Sequence, residues 1–148
     1  MSRADNVYLA RVAEQAERYD DMVGYMKQVA SAGEPLSLEE RNLLSVAYKN
    51  AVGARRAAWR VATSIEQKEQ SRDNKAVLPI VEKARKTVEE ELNDLCGQAL
   101  TLMSNTLIPA ATEGETNVFY RKMEGDYHRY VAEFTEGDAK SQAGTAAQ

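Results

Sequence analysis

The chain has 148 residues, enough for one domain with a sizeable core. Hydrophobic residues make up 43% and charged residues 28%, which excludes a disordered composition. The net charge of -4 argues against broad binding to nucleic acid or to a membrane surface, since both need a basic face.

One cysteine, Cys96, excludes an internal disulfide and suits a reducing compartment. No apolar run approaches the length of a membrane span. The first residues, "MSRADNVYLARVAEQAER", are charged throughout and lack the apolar segment of a secretory leader. A single histidine, His128, leaves little for histidine-based metal or triad chemistry. There is no phosphate-binding glycine loop, dinucleotide fingerprint or nucleophile elbow. No cofactor, no metal site and no enzyme activity are expected.

Residues 4–32 carry Leu9, Val12, Ala16, Tyr19, Met22, Met26 and Val29 at helical spacing, in one helix or two that meet at "RYDD". "SAGEP" breaks the pattern, and "SLEE" supplies a capping box with Ser37 as N-cap and Glu40 three residues on. A long helix is predicted over residues 38–70 and ends at the polar "EQSRDN". The next runs over 75–106, where Pro79 is tolerable only in the first turn. "IPAATEGET" reads as a loop and residues 117–135 as a further helix. The fold class is therefore all-α, an antiparallel bundle of about five helices in one domain over residues 1–136. Residues 137–148 form a small, polar tail, read as disordered or as the opening of an incomplete helix.

"YKNAVGARRAAWR", residues 48–60, places Lys49, Arg55, Arg56 and Arg60 close together with no acid between them. Lys49, Arg56 and Arg60 fall within about 40° of one another on a helix, while Arg55 points about 120° or more away, as a surface or interhelical charge. The opposite face carries Leu44, Ala47, Ala51, Ala54, Ala58, Ala62 and Ile65. A basic stripe is ordinarily a solvated face paired with acids from elsewhere. A second segment points further.

In "VFYRKMEGDYHRYVAEF", residues 118–134, Lys122 and Arg129 lie seven apart on one helical face. Asp126 precedes Arg129 by three residues and Glu133 follows it by four, so the guanidinium can be held from both sides. Tyr130 stands beside it with a hydroxyl to donate. Held guanidinium forks and a phenol are what a tetrahedral phosphate dianion requires. Trp59, Tyr8, Tyr48 and Phe119 read as packing residues, Cys96 as a buried small apolar residue, and "EEEL" at 89–92 as a solvated or partner-facing acidic face.

These two segments, with "VAEQAERYDDM" and "LIPAA", resemble the signature blocks of the 14-3-3 family of phosphoserine/phosphothreonine-binding adaptors, and the likeness covers nearly the whole chain. The resemblance implies that Lys49, Arg56, Arg129 and Tyr130 grip the phosphate of a bound client segment. Arg60 and Lys122 support the groove, with Asp126 and Glu133 orienting the arginines. On this reading the cations lack local acids because their partner is a phosphate from another chain. The expected compartment is the cytoplasm, with the nucleus as a second.

The resemblance also implies a homodimer, or a heterodimer with a longer relative, through Arg18, Asp21 and Glu91. Arg18 and Glu91 match a cross-protomer ion pair of the family. Thr87 stands at the usual lysine partner of Asp21 and Ala84 at a usual interface tyrosine. Ala58 replaces a serine that is a regulatory phosphorylation position in the family. Family chains are longer, and their further helices form the opposite wall of the peptide groove, so this chain reads as C-terminally truncated. The competing function is a protomer that pairs with longer relatives and modulates them without gripping ligand.

Overall fold

The computed structural model describes the backbone of residues 1–146 and the side chains of residues 1–135. The side chains of the tail assigned to 137–148 lie outside the described residues, as do residues 147–148 altogether. The helices are α1 (Arg3–Gln15), α2 (Tyr19–Ala30), α3 (Leu38–Ser71), α4 (Leu78–Leu102) and α5 (Gly114–Ala146). A π-helical turn, Met103–Leu107, and a short helical turn, Ile108–Ala110, extend α4. No strand occurs among the described residues.

Local chemistry explains the boundaries. Ser2 and Ser37 each cap a helix through a reciprocal box, the first with Asp5 and the second with Glu40. Pro79 lies in the first turn of α4, where its missing N–H costs nothing. Between α1 and α2 the chain breaks at Glu17, whose φ of 56° is left-handed and cannot continue a helix. Pro109 has no N–H to donate and its ring crowds the carbonyl four residues back, so the chain widens into the π turn just before it. The predicted loop "IPAATEGET" is thus shorter than expected: 108–110 are helical and α5 already begins at Gly114.

The break at residue 17 also rotates the buried stripe. Met22, Met26 and Val29 of α2 are buried as expected, but α1 buries Asn6, Ala10 and Ala13 and leaves Val12 and Ala16 outside. A single helical stripe fails here because a helix phase does not carry across a break. In α3 the expected small-residue face is buried only at Leu44, Ala47 and Ala51; Ala54, Ala58 and Ile65 are exposed, and the seam passes to Val52, Trp59 and Glu66. Tyr8, expected to pack, is 65% exposed. Tyr48 and Trp59 are buried, and Cys96 is buried beside Leu92, Leu95 and Ala99.

Helix direction is legible in the side-chain pairs. Tyr48 bonds Gln98, Arg55 bonds Glu91, Trp59 bonds Glu89, and Glu66 bonds Arg85, so α3 and α4 run antiparallel. Arg41 reaches Thr116 while Arg56 reaches Glu133, so α3 and α5 run in the same direction. Helix α5 packs mainly on α4, and long arginine side chains span the gap to α3.

A buried charged network locks the α3–α4 seam. Arg85, 3% exposed, bonds Glu66 through Nε and Glu89 through Nη1 at 2.8 Å, and Glu89 also accepts from Trp59 Nε1 at 2.8 Å. Removing one member of a buried charged network leaves another without its partner, which costs about 3–5 kcal/mol. Glu66→Ala is therefore expected to lower unfolding free energy by about 3 kcal/mol in a urea titration, with Glu66→Gln less damaging because it keeps an acceptor.

A second ionic contact ties α1 to α3. Arg3 donates to Glu40 at 2.7 and 2.6 Å and to Glu34 at 2.8 Å. The Arg3 hydrogen bonds, outweighing burial, hold the Glu40 carboxyl down from an ordinary value near 4.5 to about 2. A depressed carboxyl contributes stability that is complete above its unfolded pKa and is lost as pH falls through its folded pKa. Stability should therefore decline between about pH 4.5 and 2 partly through this group, and Glu40→Gln should flatten that part of the curve in urea titrations across pH.

Candidate functional site

The site forms where the middle of α3 faces α5. Glu133 accepts from Arg56 Nη2 at 2.8 Å with one oxygen and from Arg60 Nη2 at 3.1 Å with the other. The Arg56 guanidinium carbon lies 4.0 Å from the centre of the Tyr130 ring, within cation–π range. Arg129 approaches the same ring at 5.4 Å and pairs with Asp126 at 3.5 Å. Tyr130 thus lies within cation–π range of two guanidinium groups, one from each helix.

Behind Tyr130 an aromatic column runs into the core. Its ring meets Tyr127 edge-on at 5.6 Å, and Tyr127 meets Tyr48 edge-on at 6.4 Å. Tyr127 is buried, and burial raises its hydroxyl pKa well above the ordinary value, so it remains a neutral support. Its contribution was hidden in the sequence because only its spacing from Tyr130, not its cross-helix neighbour Tyr48, is visible there.

The structure brings together Arg56, Arg60, Arg129, Tyr130, Asp126 and Glu133. Lys49 and Lys122 are exposed on the same two helices and make no ion pair among the described residues. Two sequence expectations are corrected. Glu133 holds Arg56 and Arg60, not Arg129, because its carboxylate reaches across to α3 instead of back along its own helix. The cations of the cluster are also not all unpaired, since Arg56 and Arg60 share Glu133. Arg55, expected as a surface or interhelical charge, bonds Asp20 at 2.6 and 2.7 Å and Glu91 at 3.2 Å, binding α2, α3 and α4 together.

Burial alone would raise the Glu133 pKa, but hydrogen bonds and charge from Arg56, then Arg60, outweigh it and hold the carboxyl below its ordinary value. It is a carboxylate near neutrality, an internal anion on two of the cations. Arg129 and Arg60 are 70% and 59% exposed at their side chains, so donors remain for an incoming acceptor. What the arrangement can do chemically is receive an anion with several oxygens. Among the described residues no group of three or more His, Cys, Asp or Glu side chains is placed to hold a metal ion.

Of the residues expected at a protomer interface, Arg18 bonds Asp21 at 2.6 Å across the start of α2, and Glu91 is taken by Arg55. Thr87 returns its hydroxyl to the Lys83 carbonyl at 3.0 Å. No described helix is long and apolar enough to cross a membrane.

The class of protein defined so far is an all-helical bundle in which arginines from two helices meet one tyrosine. A family model described as 14-3-3 protein matches residues 9–148, and the chain belongs to the 14-3-3 family. It is 57% identical over 142 residues to the checkpoint signal transducer rad25 of Schizosaccharomyces pombe, covering 96% of this chain and 53% of rad25. It is 56% identical over 146 residues to protein BMH1 of Saccharomyces cerevisiae, covering 98% and 55%. To 14-3-3 protein epsilon of Drosophila melanogaster it is 56% identical over 141 residues, covering 95% and 54%. The chain thus spans about half the length of these curated relatives.

Cys96 gives a probe of the packing beneath this site. Burial pushes its thiol up to about 11, with the Arg56 charge acting in the opposite direction. At pH 8 the native thiol should react with a disulfide reagent about a hundredfold or more slowly than an unperturbed cysteine, because so little is thiolate. Urea should restore the ordinary rate in the same stopped-flow assay.

Proposed function

We propose that this chain is a non-enzymatic adaptor that docks phosphoserine- or phosphothreonine-containing client segments on the α3–α5 face. Arg56, Arg129 and Tyr130 take the phosphate, Lys49 adds charge, and Arg60 and Lys122 flank the segment. The observation that carries this reading is the pair of arginines on Tyr130, at 4.0 and 5.4 Å, with Glu133 and Asp126 holding them. Family membership supports it.

The energetics favour a phosphate over a simple carboxylate. A charge-assisted hydrogen bond contributes roughly 1.5–3 kcal/mol net, and a phosphate offers enough oxygens to engage both guanidinium forks. Ordering a free segment costs about 0.5–1.5 kcal/mol for each side chain immobilised. Glu133 repels the incoming dianion, yet it also fixes Arg56 and Arg60 in place. Binding by this chain is therefore phosphate-dependent, modest and weakened by salt.

Pairing with a second 14-3-3 chain is the second reading, and exposed apolar side chains favour it. Tyr8 and Val12 of α1 lie outside the fold, as do Val61 and Ile65 of α3 and Ile80 of α4. Two apolar strips on different helices suit a twofold contact in which each strip meets the other in the partner. Arg18, Asp21 and Glu91 would lie at its edge.

Titration of a fluorescent phosphoserine peptide and its unphosphorylated twin tests the first reading. Only the phosphorylated peptide should bind, with affinity falling as salt rises. Arg56→Glu and Arg129→Glu should each abolish binding while the helical circular dichroism persists. Folded charge-reversal variants that still prefer the phosphopeptide would rule these residues out. Sedimentation at micromolar concentration, alone and mixed with a longer relative, tests pairing; only monomer in both would exclude it.

A further inference from the structure

At the opposite end of α3 from Arg60, a separate cavity of about 400 Å³ opens between the first turns of α3 and α5. That volume is within the range of small-molecule sites. Arg41 lies about 12 Å along α3 from Lys49, two turns away, so this is a different place from the phosphate-facing site.

Two polar side chains that line the cavity are buried and incompletely satisfied. Arg41 is 8% exposed and Tyr120 only 1%. Arg41 Nε and the Tyr120 hydroxyl have no hydrogen-bond partner. The other Arg41 contacts are long: Nη1 to the Thr116 hydroxyl at 3.4 Å, and Nη2 to Glu115, itself largely exposed, at 4.0 Å. Stacking on Phe119, with the guanidinium carbon 4.3 Å from the ring centre, offers a π face but no acceptor for the N–H groups. A buried guanidinium in this position costs free energy unless something accepts from it.

An acceptor oxygen would suit both groups, because a guanidinium only donates and a phenol can donate to the same oxygen. The first turn of α5 adds backbone N–H groups beside Thr116, and helix N-termini favour anions. The rest of the wall limits which anion fits. Glu113 and Glu115 stand at the rim, and Glu34 is held by Arg3, so a doubly charged ligand meets strong repulsion. Leu38, Leu107 and Ala111 supply an apolar portion of an otherwise polar wall. We infer that this cavity binds a small monocarboxylate with an apolar tail, its carboxylate on Arg41 and Thr116 and its tail against Leu38, Leu107 and Ala111.

Octanoate is a suitable probe, with its methyl ester and inorganic phosphate as comparisons. In amide-resolved NMR of the full chain, octanoate should shift the signals of Arg41, Thr116 and Tyr120 saturably and leave those of Lys49 and Arg129 in place. Arg41→Met, which keeps the stem but not the charge, should weaken octanoate about tenfold or more. Should that variant fail to fold by circular dichroism, Thr116→Val supplies the same test, with a loss of a few-fold expected. Neither the ester nor phosphate should produce the pattern. Equal binding of ester and octanoate, a preference for phosphate, undiminished affinity in the folded variants, or no shift at millimolar octanoate would each overturn the assignment.

Discussion

A guanidinium withdrawn from water must be given carboxylates or aromatic faces, and this bundle is registered by arginines placed at its helix seams. Arg3 fastens α1 to α3 through Glu40, and Arg55 joins α2, α3 and α4 through Asp20 and Glu91. Arg85 locks α3 on α4 through Glu66 and Glu89, and Arg56 joins α3 to α5 through Glu133 and Tyr130. The apolar core of Met22, Leu44, Leu92, Met103 and others supplies non-directional burial. The arginine contacts add direction, because a planar fork accepts partners in few orientations.

The same property makes the α3–α5 face a candidate recognition surface. Arg56 is held by Glu133 and the Tyr130 ring, so little side-chain freedom remains to be lost when an anion arrives. Helix α5 packs chiefly on α4, which keeps its backbone away from α3 and leaves the gap to be crossed by long side chains.

Arg41 is the instructive exception among the buried arginines. Its nearest carboxylate is 4.0 Å away and its Nε is unpartnered, whereas Arg85 is bonded to two glutamates. Both side chains are nearly inaccessible, so the difference does not come from solvent. It marks the α3–α5 entrance as the place where the bundle's own charges stop short.

The all-helical class, the capping box at Ser37, the first-turn place of Pro79 and the long third helix were legible in the sequence, because each depends on residues within a few positions of one another. The cation cluster and its tyrosine were legible too, since helical spacing and the signature blocks both mark them. Local spacing misled where the partner is remote. Glu133 lies four residues from Arg129 yet bonds Arg56 and Arg60, and the stripe of α1 is rotated by the break at Glu17. A helix phase predicts which side chains share a face, but packing decides which face is inside and which charge crosses to which helix. Those outcomes depend on the relative placement of helices, which the tertiary structure alone determines.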